Sequence, residues 1–242
     1  MILKFRLIIQ FLHSLLLIGN PKSLNLIFCL LTFYKSTAVG SSFLKARIRF
    51  LDLSHILKIH GDYLKVVELG AGSSTIFFLS RNKVSSLVTL EENEQYLPDI
   101  KSDKLRTQLL AVIEDKIKGR IGTRYQGSES FLQTADFIYI DGPTSGSDQN
   151  GLAQPNLDIL VSGDLGDKTI AIDGRSNTVW LAIEHLSQSH HFIPSKAFLR
   201  HMGKFDQGFN VGSGQIENRY FKKLEGKLVR TAVFLPKNKF AS

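Results

Sequence analysis

A glycine-containing turn and two acidic residues downstream of it are the part of this sequence best suited to bind a ligand. An apolar run at residues 64–69 ends in Gly70-Ala71-Gly72, where glycines let the backbone approach a ligand because they lack a Cβ atom. Glu91 and Glu92 end the next apolar run, about 20 residues after Gly70. A carboxylate in that place can accept hydrogen bonds from both hydroxyls of a ribose. Turn and carboxylate together predict a cofactor that contains a nucleoside.

Two kinds of nucleoside cofactor fit such a turn. A dinucleotide site favours a third small residue in the pattern Gly-x-Gly-x-x-Gly, and Thr75 stands at that position. Glu68 lies two residues before the first glycine, where a carboxylate is suited to orient a cationic or amino-acid-bearing ligand. The residues therefore favour a cofactor with an amino-acid portion, and a dinucleotide stays open as the alternative.

The turn belongs to an alternation of predicted strands and helices. The strands are continuous apolar runs, which is typical of a parallel sheet covered on both faces. We therefore predict an α/β fold with a doubly wound, mostly parallel sheet and helices on both faces. Strands are expected at residues 64–69, 86–90, 108–113, 136–141 and 168–173, with 219–221 and 227–235 as an antiparallel pair at the sheet edge. Helices are expected at residues 51–59, 75–80, 93–106 with an interruption at Pro98, and 179–186.

The beginning of the chain differs from this domain. We divide the chain into an apolar helical segment, residues 1–49, and the α/β domain, residues 50–242. Residues 7–18 have an amphipathic helical pattern and are shorter than the ~20 residues that cross a bilayer. Three interpretations of residues 1–35 stay open: helices that cover the domain or a partner, peripheral attachment to a membrane surface, and a cleaved signal or anchor.

Composition and charge narrow the classes of protein. With 43% hydrophobic and 21% charged residues, the chain has the composition of a packed globular protein and not of a disordered or disulfide-stapled one. The net charge of +8 divides into +7 over residues 1–60, −6 over residues 61–174 and +7 over residues 175–242. The negative charge of residues 61–174 favours the binding of a specific small molecule there. No basic stripe is interleaved with aromatic residues, so nucleic acid is not expected as a partner, and we expect a cytoplasmic protein with membrane association left open.

Four segments resemble the class I S-adenosylmethionine-dependent methyltransferases. They are the turn Glu68-Leu69-Gly70-Ala71-Gly72-Ser73-Ser74-Thr75, the strand end Val88-Thr89-Leu90-Glu91, and residues 136–143 and 169–175. By this resemblance Glu68, Gly70, Gly72 and Ser73 contact the cofactor and Glu91 binds its ribose. By the same resemblance, the residue that contacts adenine lies in either Glu114-Asp115 or Gly127-Ser128, and we select Ser128 as the candidate.

Asp141 is the candidate catalytic residue. It ends the predicted fourth strand in Asp141-Gly142-Pro143, and the resemblance places the tip of that strand next to the transferred methyl group. A carboxylate there can orient a hydroxyl or take its proton. Together with Asp173 at the end of the next strand it could also hold a divalent cation, as in catechol-type O-methyltransferases. Gly174 follows Asp173 where those enzymes carry an amide ligand, so no metal is assigned.

The sequence therefore predicts an S-adenosylmethionine-dependent methyltransferase that acts on a hydroxyl of a small molecule or sugar. One alternative is an NAD-dependent oxidoreductase. The other is a noncatalytic interaction module with the same Rossmann-like fold, attached to a membrane surface through the first 35 residues.

Overall fold

The computed structural model describes residues 42–61, 63–144, 146–147, 153–202, 223–224 and 226–240. The amphipathic segment at residues 7–18 and the strand expected at residues 219–221 lie outside the described residues. Peripheral membrane contact through residues 1–35 and the domain boundary after residue 49 stay predictions. Among the described helices, none combines the length and the apolar character that a membrane span requires.

Within the described ranges, seven strands form one sheet in the order β3-β2-β1-β6-β7-β9-β8. The pairs from β3 to β7 are parallel, and β9 is antiparallel to both of its neighbours. A separate antiparallel hairpin consists of β4 and β5. The strands are β1 (Leu64–Leu69), β2 (Val84–Glu91), β3 (Leu105–Leu109), β4 (Val112–Ile117), β5 (Arg120–Tyr125), β6 (Phe137–Ile140), β7 (Thr169–Asp173), β8 (His190–Ile193) and β9 (Thr231–Pro236).

Helices cover both faces of the sheet. They are α1 (Ser42–Leu57), α2 (Ser73–Leu79), α3 (Glu129–Gln133), α4 (Asp158–Val161), α5 (Ser176–Leu186) and α6 (Lys196–Met202), and a 3₁₀ turn spans Glu94–Tyr96. Apolar residues of α1 and α2 pack on one face together with Val66 of β1, and those of α5 pack on the other face together with Val67. Adjacent residues of a strand point to opposite faces, so both faces of β1 are buried. The predicted doubly wound α/β fold is confirmed, and the chain has a Rossmann-like fold.

The predicted helix at residues 93–106 is wrong. The chain makes only the short 3₁₀ turn there, with the Asn93 side chain accepting a hydrogen bond from the Gln95 N–H at 3.0 Å. Pro98 lacks the N–H that would continue a helix, and β3 begins at Leu105. The strand expected at residues 108–113 overlaps the end of β3 and the beginning of β4. The limits of β3 could not be predicted, because it is a largely polar edge strand without an apolar run.

The C-terminal part of the sheet also differs from the prediction. The strand expected at residues 227–235 corresponds to β9, which is antiparallel as expected but lies inside the sheet, and β8 forms the edge. The sequence did not predict β8, which is four residues long and begins with His190 and His191. Such a short strand with polar residues in its first half has no hydropathy pattern that distinguishes it from a loop.

Candidate active site

Glu91 connects the glycine turn to the end of the neighbouring strand. Because β1 and β2 are parallel and paired, the residues that follow β1 and the last residue of β2 lie at the same edge of the sheet. The Ala71 N–H donates a hydrogen bond of 2.7 Å to Glu91 Oε2, and the N–H groups of Glu92 and Asn93 donate to Oε1 at 2.9 and 3.0 Å. Since a carboxylate has about four acceptor positions, three backbone donors orient Glu91 and leave it able to accept one more hydrogen bond.

Gly70 is required by the backbone conformation and by a close approach between two turns. Its φ of +94° lies in a region that L side chains rarely adopt. A Cβ atom at this position would lie 2.6 Å from the backbone nitrogen of Gly142 in the turn after β6. The turn after β6 is attached here because the Asp141 N–H donates to the carbonyl oxygen of Leu69 at 2.8 Å. The two turns that could form a site are therefore packed directly against each other.

Gly72 has the opposite surroundings. A Cβ atom built at Gly72 would meet no atom of the described residues within 4 Å, so these residues leave space in front of Gly72. The backbone at Gly72 is extended, and its N–H donates to Thr75 Oγ1 at 3.0 Å. Ser73, the first residue of α2, is half-buried beside it. Gly72 and Ser73 are thus the residues of the turn that a ligand could reach most directly.

Glu68 stabilises the turn from inside the protein. Its side chain is completely buried, and Oε2 accepts hydrogen bonds from the hydroxyls of Thr75 at 2.6 Å and Thr89 at 3.0 Å. Burial raises the pKa of Glu68 to about 7, against the lowering effect of the surrounding hydroxyls. The contacts of Glu68 therefore connect β1, β2 and α2, and its direct contact with a cofactor stays a prediction.

Ser128 points into the protein instead of toward the edge of the sheet. It is completely buried, and its hydroxyl donates to the Asp158 carboxylate, which also accepts hydrogen bonds from Asn156 Nδ2 at 2.7 Å and the Tyr125 N–H at 3.2 Å. Burial raises the pKa of Asp158 to about 6. This network could not be predicted, since Asp158 and its partners lie in segments without a recognisable sequence motif. A contact of Ser128 with adenine stays a prediction.

The other adenine candidates lie in the hairpin. Glu114 of β4 accepts a hydrogen bond from Gln154 Nε2 at 2.9 Å, and Asp115 forms an ion pair of 2.7 Å with Arg124 of β5. Both side chains therefore have partners that connect the hairpin internally or attach it to the loop before α4. These contacts within the protein are sufficient to explain how the hairpin is attached, and they require no ligand.

Tyr125 is a buried residue near the site that the sequence did not point to. Its hydroxyl has no hydrogen-bond partner among the described residues, and a Cβ atom at Gly142 would lie 2.5 Å from that hydroxyl oxygen. Burial and the nearby carboxylates of Glu91 and Glu92 raise the pKa of Tyr125. Tyr125 therefore stays neutral and keeps a free donor beneath the turn after β6.

Asp141 follows β6 and forms an ion pair with Arg49 of α1. Arg49 Nη1 lies 2.7 Å from Asp141 Oδ2, and the Asp141 side chain is 22% exposed. The Asp141 carbonyl oxygen accepts a hydrogen bond from Arg175 Nη2. Burial raises the pKa of Asp141 to about 6, although the charge of Arg49 opposes the shift. The carboxylate thus lies at the edge of the sheet, partly open to the outside.

Asp173, at the end of β7, is bound from two directions. Arg49 Nε and Nη2 reach Asp173 Oδ2 at 2.9 Å, and Arg230 Nε contacts both carboxylate oxygens at 3.0 and 2.9 Å. Asp52 of α1 holds the backbone at Arg230 in place, because its carboxylate accepts hydrogen bonds from the N–H groups of Val229 and Arg230 at 2.9 and 2.7 Å. Helix α1 therefore contributes both Arg49 and Asp52 to this corner of the molecule.

The cation between Asp141 and Asp173 is the Arg49 guanidinium. Within the described ranges, no group of three or more His, Cys, Asp or Glu residues could hold a metal ion. Arg49 lies just outside the domain predicted to begin at residue 50, and the sequence analysis did not select it. Arg49 is one of several basic residues in the first half of α1, and it has no spacing pattern that would connect it to strand ends far along the chain.

Comparisons with known proteins give similarities of fold. No family model and no curated protein matches the chain. Among solved structures, the MycE methyltransferase from the mycinamycin biosynthetic pathway, in complex with Mg, SAH and mycinamycin VI, aligns with 14% identity and a TM-score of 0.39. The alignment covers 83% of this chain and 49% of MycE, so the chain spans about half the length of that protein.

Two further solved structures are similar to the same extent. The methyltransferase domain of bacterial CtHen1 aligns with 10% identity and a TM-score of 0.40, over 78% of this chain and 98% of that chain. The precorrin-6y C5,15-methyltransferase from Geobacter metallireducens GS-15 aligns with 16% identity and a TM-score of 0.34, over 61% of this chain and 77% of that chain. These likenesses concern the overall fold, and the site is assigned from its own residues.

Proposed function

We propose that this protein is an S-adenosylmethionine-dependent methyltransferase that acts on a hydroxyl of a small molecule or sugar. The observation that carries the proposal is the hydrogen bond of 2.7 Å between the Ala71 N–H and Glu91 Oε2. It joins a turn that exposes its backbone at Gly72 to a carboxylate oriented by three backbone donors. A nucleoside cofactor needs both parts at one edge of the sheet.

The residue in place of a third glycine favours S-adenosylmethionine over NAD. In a dinucleotide site the third glycine allows close packing between helix and strand. Thr75 occupies that position, and its buried hydroxyl accepts from the Gly72 N–H and donates to Glu68. The side chain therefore fills the space between α2 and β1 and connects them through hydrogen bonds.

The residues suited to bind the cofactor are those of the turn and the strand end. Gly72 and Ser73 would provide the backbone surface, and Glu91 would accept from a ribose hydroxyl. Gly70 lets the turn pack against the turn after β6, and Glu68 supports it from below. When bound, S-adenosylmethionine supplies a methyl group on a positively charged sulfur. The net charge of −6 over residues 61–174 favours a cofactor that carries a positive charge.

Asp141 is suited to orient the acceptor hydroxyl and accept its proton. Its carboxylate is partly exposed at the end of β6, next to the turn that packs on Gly70. Burial raises the pKa of Asp141 toward neutral pH, where general bases are most effective. Much of the rate of such a transfer comes from positioning the two reactants, which requires an Asp141 side chain of fixed orientation.

Calorimetric titration with S-adenosylmethionine, S-adenosylhomocysteine and NAD in parallel tests the cofactor. We expect saturable binding of the first two and none of NAD. Binding of NAD alone would overturn the proposal in favour of an oxidoreductase. Binding of none of the three would favour a noncatalytic protein.

Methyl transfer from labelled S-adenosylmethionine to a panel of hydroxylated small molecules and sugars tests the acceptor. For any acceptor that turns over, Asp141→Asn should lower kcat by about a hundredfold and leave the affinity for S-adenosylhomocysteine unchanged. The exposed Asp167 lies at a distance from the site, so Asp167→Asn serves as the control. Transfer to amines alone, or full activity of Asp141→Asn, would contradict the assignment.

A further inference from the structure

Arg49 makes contacts that a divalent cation would make between two carboxylates. Its Nη1 lies 2.7 Å from Asp141 Oδ2, and its Nε and Nη2 lie 2.9 Å from Asp173 Oδ2. The Arg49 side chain is 14% exposed, and the Asp173 side chain is completely buried. A planar guanidinium with several fixed donors is suited to bind carboxylates that approach it from different sides.

The other nearby arginines do not join the two carboxylates. Arg230 contacts Asp173 through Nε, and Arg175 donates to the backbone carbonyl of Asp141. Among the described residues, Arg49 is thus the cation whose contacts reach both carboxylate groups. Without it, no described cation would form an ion pair with the carboxylate of Asp141 and fix its orientation.

We propose that Arg49 is a positioning residue of the acceptor side of the site. Its guanidinium provides the positive charge between Asp141 and Asp173 that a bound divalent cation would otherwise provide, and it holds the Asp141 carboxylate toward the acceptor. The inference rests on the proposed methyl transfer for its functional part. The claim that Arg49 is the cation of this carboxylate pair is independent of the reaction.

The variants Arg49→Ala and Arg49→Lys test this role. Alanine removes the cation, and lysine keeps a charge on a single nitrogen that cannot reproduce the contacts to both carboxylates. Arg120→Ala is the matched control, because Arg120 forms an exposed ion pair of 2.7 Å with Glu184 on another part of the surface. Thermal unfolding shows whether each variant is folded, and Arg49→Lys carries the test if the alanine variant is not.

The measurement that needs no acceptor is calorimetric titration with Mn²⁺. We expect saturable binding to Arg49→Ala, and none at the same concentrations to the wild type, to Arg120→Ala or to the double variant Arg49→Ala with Asp141→Asn. For Arg49→Lys we expect binding weaker than for Arg49→Ala. Equal binding of Mn²⁺ by the wild type and a folded Arg49 variant, or its absence from both, would overturn the proposal.

The second measurement is methyl transfer to an acceptor from the screen. Arg49→Ala should lower kcat by about a hundredfold with the affinity for S-adenosylhomocysteine unchanged. Guanidinium ions, at concentrations far below those that unfold the wild type, should restore part of this kcat and leave Arg120→Ala unaffected. Unchanged kcat, or a loss that guanidinium does not reverse, would contradict a positioning role. If the wild type binds no S-adenosylmethionine, the proposed function fails, and the Mn²⁺ titration still decides whether Arg49 is the cation of the pair.

Discussion

The two halves of the candidate site hold their carboxylates in different ways. At the ends of β1 and β2, Glu91 accepts hydrogen bonds from backbone N–H groups that lie 1, 2 and 20 residues away along the chain. At the ends of β6 and β7, Asp173 is bound by the guanidinium groups of Arg49 and Arg230, which lie 124 and 57 residues away. The proposed cofactor side, at the ends of β1 and β2, is therefore built from local backbone geometry. The proposed acceptor side, at the ends of β6 and β7, is built from side chains that distant segments contribute.

This difference has a consequence for mutations. Backbone donors remain when a side chain is replaced, so most substitutions near Glu91 preserve its orientation. The ion pairs at Asp173 depend on each participating side chain, and removing one partner leaves a buried charge without compensation. Stability should therefore be more sensitive to substitutions on the acceptor side, and ligand affinity more sensitive to those on the cofactor side.

The largest effect on stability is expected for Asp173→Asn. This change removes the buried negative charge that pairs with Arg49 and Arg230. Breaking a buried ion pair in this way should lower the free energy of unfolding by about 4 kcal/mol. Denaturant unfolding checks the value. Asp167→Asn, at an exposed ion pair, should change it by less than about 1 kcal/mol. Similar effects of the two substitutions would remove the contrast between the buried network and the surface.

On the cofactor side, Gly70→Ala should have the largest effect on stability. A side chain is strained at a φ of +94°, and its Cβ atom would lie 2.6 Å from the backbone nitrogen of Gly142. We expect the free energy of unfolding to fall by about 3 kcal/mol. An alanine variant as stable as the wild type would show that the two turns are not packed against each other as described.

Glu68→Gln tests a buried carboxylate that has hydroxyl partners and forms no ion pair with any described residue. Because burial raises the pKa of Glu68 from 4.5 to about 7, the folded state binds more protons than the unfolded state between these values. The wild type should therefore lose up to about 3 kcal/mol of stability relative to the variant as the pH rises from 4.5 to 7. Denaturant unfolding of both proteins at several pH values measures this difference. A difference that does not vary with pH would show that the carboxyl group is not shifted.

A smaller effect on binding is expected for Glu91→Gln, together with some loss of stability, because the amide NH2 group must face a backbone N–H that now donates to the carboxylate. The amide keeps the shape of the side chain but weakens acceptance of a ribose hydroxyl, so the affinity for S-adenosylhomocysteine should fall by about 2 kcal/mol. The same exchange at the exposed Glu94, in the 3₁₀ turn nearby, should leave the affinity unchanged. Calorimetry compares the three proteins, and equal affinities would remove Glu91 from the site.

The same contrast explains what the sequence could predict. The turn at Gly70 and Gly72, the strand before it and the acid at Glu91 follow one another within a single strand-turn-helix-strand unit, where spacing determines position. Thr75 departs from the dinucleotide pattern, and the structure adds the physical reason, since its hydroxyl connects Gly72 to Glu68. Continuous apolar runs were sufficient to predict the parallel strands β1, β2, β6 and β7.

The acceptor side could be predicted only as far as Asp141 and Asp173. Their partners Arg49 and Arg230 come from α1 and from the segment before β9, and no local pattern determines which distant segments meet at a strand end. The inward orientation of Ser128 could not be predicted for the same reason, because its partner Asp158 lies 30 residues further along the chain. The polar edge strand β3 and the hairpin of β4 and β5 lack the apolar runs on which strand prediction depends.

Titration of the wild type and Gly72→Ala with S-adenosylhomocysteine tests the central claim most directly. None of the described atoms lies within 4 Å of a Cβ atom at Gly72, so an added methyl group should change the free energy of unfolding by less than about 1 kcal/mol. If the cofactor lies against this turn, the methyl group should lower the affinity by at least about tenfold. Tight binding by the wild type together with weak binding by an equally stable variant is the expected result. Equal affinities would contradict the assignment of this turn as the cofactor site.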